Sequence, residues 1–370
     1  APVLTLSVGQ QQKVEFLKAL YRHVELLILD EPTTVLTPQE VDALMSLLRQ
    51  LADSGIAIIL ISHKLREILG ITSRIAVMRK GRVVADVRPA EVTEPQLANL
   101  MIGAEVQGIE VPRERLGREK RKPVFVVQNL TVSNDRGRTA VDNVTFELSA
   151  GEILGIAGIA GNGQQELVEA LVGIREISQG KILLNGIEIT HSRSAQRRRL
   201  GLAVIPGDRV HEGTVGSASV AENLISIRYR QYPYSRIGIL RKKAIKGFCW
   251  EMLRGYNISA KPTTEVRALS GGNMQRVVIA RELSTSPSVL IAVHPSRGLD
   301  VKSTVEVHRR LITSRRQGLA VLLISTDLDE LLSLSDRLLV IFRGRIVGEL
   351  SPESTTLTEL GMLMLGGSNE

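Results

Sequence analysis

Apolar and polar positions change rhythm several times along this chain, and each change predicts an element. Val24 to Leu29 is an apolar run ending in Asp30-Glu31, the pattern of a buried parallel strand. Pro38 to Leu51 places apolar residues at Val41, Leu44, Met45, Leu48 and Leu51, a helical stripe that Gly55 closes. Ile56 to Ile61 is a second buried strand, followed by a short helix from Lys64. Arg74 to Val87 alternates about Lys80-Gly81 and predicts a hairpin. Further on, Gly151 to Ile156 is a strand, and a helix begins over Gln165 to Leu171. Alternation of this kind specifies an α/β fold with a parallel sheet. Residues 106–122 are expected to be a linker, because Glu110 to Lys122 is dense in charge, contains Pro112 and Gly117, and has little to bury. The chain then divides into a unit at 1–105 and a second at 123–370.

The two units share a repeat. Leu6-Ser7-Val8-Gly9-Gln10 returns as Leu269-Ser270-Gly271-Gly272-Asn273, an offset of 269 − 6 = 263 residues. The same offset, without a gap, sets Asp30-Glu31-Pro32 against Val293-His294-Pro295 and Ser62-His63 against Ser325-Thr326. It also sets Gly81 against Gly344, and Leu100-Met101-Ile102-Gly103 against Leu363-Met364-Leu365-Gly366. One ancestral unit is thus present about one and a half times, the second copy having about 145 residues in front that the first lacks.

Hydrophobic residues at 43% and charged residues at 23% are those of a globular protein. No apolar run approaches the roughly 18–20 residues needed to span a bilayer. The start, Ala1-Pro2-Val3-Leu4, has no charged signal-peptide region and no Met, which fits a piece of a longer chain. A single cysteine, Cys249, excludes an internal disulfide and fits a reducing compartment. The net charge of 47 − 39 = +8 favours anionic ligands or an anionic membrane surface, although solvated faces on a basic protein account for it equally well.

Between the strand at 151–156 and the following helix lies Gly158-Ile159-Ala160-Gly161-Asn162-Gly163-Gln164-Gln165. A phosphate loop needs glycines so that backbone N–H groups wrap the anion at a helix N-terminus. It also needs a Lys for the terminal phosphates and a Ser or Thr for Mg²⁺. The glycines and the strand–loop–helix context are present, but Gln164 replaces the Lys and Gln165 the hydroxyl.

The ordered series resembles the ABC-type ATPases: Leu-Ser-Gly-Gly, an apolar strand about 20 residues later that ends Asp-Glu-Pro in the first copy, and Ser-His after a further strand. In detail it is similar to the tandem ATP-binding subunits of bacterial importers for nucleosides and simple sugars. Gly151 to Gly158, Gly161-Asn162-Gly163-Gln164, Pro295-Ser296-Arg297-Gly298-Leu299-Asp300 and Leu334-Ser335-Asp336-Arg337 look most like the nucleoside branch, whose second half commonly lacks the Lys. The resemblance implies P-loop NTPase domains with a parallel-sheet core, antiparallel β elements and a helical subdomain at about 216–285. It implies ATP and Mg²⁺ as cofactors, two membrane-spanning permease subunits and, through them, a substrate-binding protein as partners, and a place at the cytoplasmic face of the membrane. No nucleic acid and no direct contact with the transported substrate are expected.

In this family two units close head to tail around two ATP molecules. The resemblance assigns Asp30 to Mg²⁺, Glu31 to the attacking water and His63 to the γ-phosphate, with Ser270, Gly271, Gly272 and Asn273 capping the same nucleotide. The second site takes Gly158, Gly161, Gly163, Gln164 and Gln165, with Ser7 and Gly9 from the first unit. Here Val293 stands for Asp30, His294 for Glu31, Thr326 for His63, Gln164 for the Lys and Val8 for a glycine. Five losses fall on one site, which argues for one hydrolytic and one degenerate site. The phosphate loop for the first unit would lie at 158 − 263 = −105, before Ala1, so this chain alone is expected to hydrolyse ATP negligibly.

Weaker signals remain. Arg193, Arg197, Arg198 and Arg199 are expected on a solvated helix face, ahead of contact with nucleotide or lipid. Tyr229, Tyr232, Tyr234, Phe248, Trp250 and Tyr256 fall where the family receives helices of the membrane subunit, and fit either that groove or the subdomain's own core. No aromatic lies between Phe125 and Phe146, where the family offers a ring to adenine. Gly207, in Pro206-Gly207-Asp208-Arg209, departs from the family's Gln or Glu. Cys249 is expected to be buried and inert. Two rival readings stay open: a ribosome-associated tandem ABC protein, which generally has a longer linker and two intact sites, and a non-catalytic nucleotide-binding remnant.

Overall fold

A computed structural model describes residues 14–19, 21, 24–33, 38–62, 64–79, 81–102, 122–159, 161–364 and 366. The chain divides into two compact units, one of residues 1–112 with 300–305 and the other of 113–299 with 306–370.

In the first unit, β1 (Leu26–Asp30) and β2 (Ala57–Ile61) pair in parallel, joined by α1 (Pro38–Asp53). The stripe on α1 packs Leu44, Met45 and Leu48 against Leu27 and Leu29. After α2 (Leu65–Ile71), β3 (Ile75–Arg79) and β4 (Arg82–Val87) form the antiparallel hairpin predicted about Gly81, and α3 (Glu94–Ile102) closes over it through Leu97.

The second unit has two sheets. A six-stranded sheet runs β10-β13-β14-β7-β15-β16, where β7 is Ile153–Ala157, β10 Leu202–Ile205, β13 Val289–Val293, β14 Ala320–Ser325, β15 Arg337–Phe342 and β16 Arg345–Leu350. All its pairings are parallel except β15 with β16. A four-stranded antiparallel sheet runs β6-β5-β8-β9, from β5 (Pro123–Ser133), β6 (Thr139–Ser149), β8 (Gln179–Leu184) and β9 (Ile187–Glu188). One core joins the two sheets, with Phe125, Leu148, Leu154, Ile156 and Leu322 in it, and α4 (Gln164–Val172) adds Leu167, Ala170 and Leu171. A smaller core of Val220, Leu224, Phe248, Leu253 and Val277 holds α6 (Val220–Ile225), α7 (Lys242–Gly255) and α8 (Gly271–Leu283). Ser219 and Glu222 cap α6 reciprocally. Completing the unit are α5 (Ser194–Arg199), β11 (Ser235–Arg236), β12 (Ile239–Leu240), α9 (Val301–Arg316), α10 (Leu328–Leu334) and α11 (Leu357–Met364).

The sequence repeat is also a backbone repeat. Leu26 faces Ala57 in the first unit as Val289 faces Ala320 in the second. The irregularity at Val77/Met78 returns at Val340/Ile341, and 340 − 77 is again 263. Gly55 and Gly318 share φ values of 95° and 96° beyond their helices.

Two expectations change. Leu26, Ile28, Ile59 and Ile61 stay 48%, 59%, 49% and 48% exposed, so β1 is buried, and β2 half-buried, on one face and not both. Their repeat partners Val289, Ile291, Leu322 and Ile324 are at most 2% exposed. In the second unit the covering layer comes from residues 123–202, which have no counterpart among the first unit's described residues. The arginine run is only partly a solvated face: Arg193 and Arg199 are exposed, but Arg197 and Arg198 turn inward. Arg197 is 1% exposed and donates to the carbonyls of Ala170, Leu171, Thr190 and Ser192, closing the C-terminal end of α4. Burial lowers its pKa to about 10. Arg198 pairs with buried Glu282 at 2.6 Å.

The repeat supplies its own control for core burial. Ile291→Ala should cost about 2–5 kcal/mol in equilibrium urea unfolding, because it empties a closed core. Ile28→Ala, at the matching position on the exposed face, should change stability by about 0.5 kcal/mol or less.

Candidate functional site

Three parallel strands end together. Ala157 of β7 stands opposite Ser325 of β14, and Ile324 opposite Val293 of β13. Gly158, Thr326 and His294 therefore leave the sheet at the same carboxyl edge, where open α/β sheets hold ligands.

Sterics account for the glycines of the loop. A Cβ on Gly158 would press on Gln164 Nε2 and come within 2.6 Å of Ile341 Cγ2. At Gly163, φ is 96° and a Cβ would strike the Ala140 carbonyl oxygen. Gly161 has open space but a φ of 92° that other residues rarely adopt. Asn162 ties the loop to the β15–β16 turn: its side-chain Oδ1 accepts from Arg343 N at 2.9 Å and its carbonyl from Gly344 N at 3.0 Å. That tie spans about half the chain and has no local signal.

The two glutamines point in different directions. Gln164 Nε2 donates to Ile159 O at 3.1 Å, so its neutral amide lies across the loop where a Lys would bring charge. Gln165 Nε2 donates to Glu169 Oε1 at 3.0 Å and runs along α4, away from the loop mouth. With Val293 apolar and Gln165 turned away, neither side chain offers Mg²⁺ an oxygen at this edge. The second site fits a phosphate through backbone donors and does not fit the metal.

His294 decides what the strand end does. Its φ of 43° matches the 48° of Glu31, and both backbone N–H groups donate to the neighbouring strand at 2.8 Å, to Ile324 O and Ile61 O. Positive φ at a non-glycine residue is uncommon, and two repeat-related cases mean that the turn is built to present this side chain. Thr326 N donates to His294 Nδ1 at 3.3 Å. A backbone N–H only donates, so Nδ1 accepts, and in the neutral ring the proton sits on Nε2. Burial lowers the His294 pKa, and Arg297 adds to it, against the opposing carboxylates Glu330 and Asp327. The free nitrogen is thus a hydrogen-bond donor and not a base. Gly207 lies against the ring: a Cβ there would be 3.5 Å from His294 Cδ2.

Beneath this edge is a polar pair that the sequence did not reveal. Burial would push Glu330 up, but the hydrogen bond from His308 at 3.0 Å and its charge, with the nearby hydroxyls of Ser296 and Ser325, hold it below the usual carboxylate range. The first unit has the same carboxylate as Glu67, bonded to Thr33 Oγ1 at 2.7 Å and paired with Lys64 at 3.4 Å.

Ser270 caps α8, its Oγ accepting from Asn273 N at 3.4 Å and Nδ2 at 3.1 Å. Gly272 is buried, and a Cβ on Gly271 would be 2.8 Å from an Arg209 terminal nitrogen. Arg209 also donates to Arg297 O at 2.5 Å and Gly298 O at 3.2 Å. One guanidinium thus joins the 206–209 loop, the start of α8 and the loop after His294. Gln275 Nε2 reaches Pro295 O at 2.8 Å.

In the first unit, Asp30 is exposed at the end of β1 and Glu31 is half-buried beside it. Ser7, Gly9 and His63 lie outside the described residues. Among the described residues no cluster of three or more His, Cys, Asp or Glu is placed to hold a metal. The carboxylate of Asp30, at the exposed end of β1, offers a hard oxygen, which suits Mg²⁺, an ion commonly held through one or two carboxylates, water and phosphate. Phe125 and Phe146 are 0% and 5% exposed, so neither ring is open to adenine.

Residues 1–34 and 141–296 match the sequence pattern of the family described as ABC transporter. The chain belongs to this family. The nucleoside import ATP-binding protein NupA of Lactococcus lactis subsp. cremoris is 41% identical over 369 residues, covering 100% of this chain and 72% of that protein. The guanosine import ATP-binding protein NupO of Bacillus subtilis is 41% identical over 371 residues, with the same coverage. The glucose import ATP-binding protein TsgD13 of Haloferax volcanii is 38% identical, covering 100% and 67%. A crystal structure of a nucleotide-free ATP-binding cassette from an ABC transporter superposes with a TM-score of 0.55 at 21% identity, over 62% of this chain and 92% of the other, which shows the shared fold. The α/β P-loop architecture is therefore that of an ABC ATPase cassette.

The His294 tautomer is directly observable. Nitrogen-15 NMR should show a neutral ring with the proton on Nε2 at pH 7 and a pKa below the ordinary 6.5. Since the folded value is depressed, the unfolded chain binds the proton first, and His294 should reduce stability as pH falls below 6.5.

Proposed function

We propose that this chain is part of an ATP-binding subunit that powers uptake of a nucleoside or simple sugar through two separate permease subunits fed by a substrate-binding protein. Support comes from the import proteins matched along its whole length. No helix among the described residues is long and apolar enough to cross a membrane, which fits a peripheral place at the cytoplasmic face with the pathway supplied by partners. The first unit is taken as 1–105, the linker as 106–122 and the second unit as 123–370.

The two ATP sites have different tasks in this reading. At the first, Asp30 would hold the hydration shell of Mg²⁺, and Glu31 orients or deprotonates the attacking water. His63 contacts the γ-phosphate, and Ser270, Gly271, Gly272 and Asn273 bring a hydroxyl and backbone donors to it. The bound metal would draw charge from the phosphate oxygens. At the second site, Gly158, Gly161 and Gly163 open the loop to a phosphate, Gln164 and Gln165 leave it without the charge clamp, and Ser7 and Gly9 complete it. His294 with its nitrogen already bonded to Thr326 carries this asymmetry: a donor stands where the first unit has a carboxylate. The second site holds nucleotide without cleaving it, and closure around it supports turnover at the first.

The strand–glycine loop–helix within residues 1–370 has Gln164 at its Lys position, so ATP turnover by this chain alone should stay at background. A rate clearly above background that Glu31→Gln abolishes would overturn the assignment. Gln164→Lys replaces a neutral amide by a cation, and should tighten ATP binding by about tenfold in calorimetry, within the range of a charge-assisted hydrogen bond.

A further inference from the structure

The positive charge of the chain is not evenly spread. Between Asn223 and Trp250 there are seven Arg and Lys residues, from Arg228 to Lys246, and no Asp or Glu. That stretch carries +7, against +8 for the whole protein. Arg228 is structural: it donates to Ser284 O at 2.7 Å and lies 5.2 Å and 5.5 Å from the ring centroids of Tyr234 and Phe248. The other six form no ion pair among the described residues.

Within this stretch, β11 and β12 make a short antiparallel hairpin with a fixed root and an open tip. The root is Tyr234, 7% exposed, packed on Phe248 at a centroid distance of 5.1 Å, with Arg241 N donating to Tyr234 O at 2.8 Å. The tip exposes Ile237 by 92% and Ile239 by 73%, with Tyr232 exposed by 76% nearby in the chain. Arg241 lies 5.8 Å from the Tyr232 ring and Arg230 5.3 Å from the Tyr229 ring.

The tip is costly to the isolated protein in two independent ways. Its apolar side chains face water, and its turn has φ values of 51° at Ile237 and 78° at Gly238. A two-residue turn with both φ positive favours Asn-Gly, and a β-branched residue at its first position is strained. The sequence thus places a large apolar side chain where packing gains nothing and the backbone resists it.

We propose that the 229–246 hairpin is a membrane-surface anchor, its apolar tip entering the headgroup boundary of an anionic bilayer while the surrounding Arg and Lys side chains bind acidic lipid headgroups. An apolar insertion and a basic cluster are the two signals that together give stable attachment to such a surface. A lipid surface satisfies six exposed cations without a shaped complement, whereas a protein partner would have to order each long side chain. This surface lies outside the ATP chemistry and adds to the transport reading a contact with the lipid beside the permeases.

The test is co-sedimentation of the chain with vesicles of equal parts phosphatidylglycerol and phosphatidylcholine, beside vesicles of phosphatidylcholine alone. Binding is expected only to the anionic vesicles, falling at least about tenfold between ~0.05 and ~0.5 M salt as screening shortens the reach of the charges. The pair Ile237→Asn and Ile239→Ser should lower binding by about fivefold or more, with Tm unchanged or raised, because Asn suits the turn. Lys242→Gln with Lys243→Gln should weaken binding and flatten its salt dependence. Equal binding to neutral vesicles, no binding at low salt, or undiminished binding by the tip variant with its fold intact would overturn the proposal. Capture only by vesicles that contain a permease would assign the hairpin to a protein partner and overturn it too. ATP binding measured on the same samples keeps the transport reading separately testable.

Discussion

Everything at the candidate site depends on the register of three parallel strands. Because Ala157, Ser325 and Val293 come to the carboxyl edge together, the phosphate loop, Thr326 and His294 are neighbours although they are far apart in the chain. β7 has all five residues buried, and its neighbours on both sides are parallel, so a slip of one residue would send every side chain to the opposite packed face, where its shape does not fit. The site is placed by the cost of that slip. The glycines after β7 then let the backbone turn where Ile341 and Ala140 leave no room for a Cβ.

The repeat acts as an internal comparison, since one backbone carries two sets of side chains. Glu31 and His294 share a positive φ and the same strand contact, so the backbone that presents a carboxylate in one unit presents an imidazole in the other. The change of residue alone would leave His294 free to act as a base. The contact with Thr326 N removes that freedom by using Nδ1 as an acceptor. The carboxylate below, Glu67 or Glu330, is retained in both units with a different nitrogen partner, Lys64 in one and His308 in the other. Retention of the scaffold and replacement of side chains at the strand end are thus physically separable: packing holds the former and does not depend on the latter.

Arg209 shows how the separate loops of the second unit are held together. Its guanidinium reaches two carbonyls of the 297–298 loop and underlies Gly271, and its Nε is buried without a hydrogen-bond partner among the described residues. Burial lowers its pKa, with the charge of Asp208 opposing. The start of α8 therefore moves with the loop after His294, which gives the capping turn a mechanical link to the strand end.

The sequence alone determined the repeat and its offset, the alternation of strands and helices, the glycine loop, and the residue types that separate one strand end from the other. These are legible because periodicity, turn chemistry and side-chain identity are local. It also favoured an inert Cys249, whose thiol burial pushes up to about 11. Only tertiary structure decided the rest. Arg197 looked like a solvated cation, but the carbonyls of Ala170 and Leu171 from the end of α4 join those of Thr190 and Ser192 to surround it. The aromatic group divided into core residues, Tyr234 and Phe248, and exposed ones, Tyr229 and Tyr232, because the same ring type serves either place. The β1–β2 face read as buried, yet whether an apolar face is covered depends on residues distant in sequence, and in the first unit the described residues leave it open. The tautomer of His294 belongs to the same class, set by a contact with Thr326 from the next strand end, whereas the Gln164 amide is turned within its own loop by the carbonyl of Ile159.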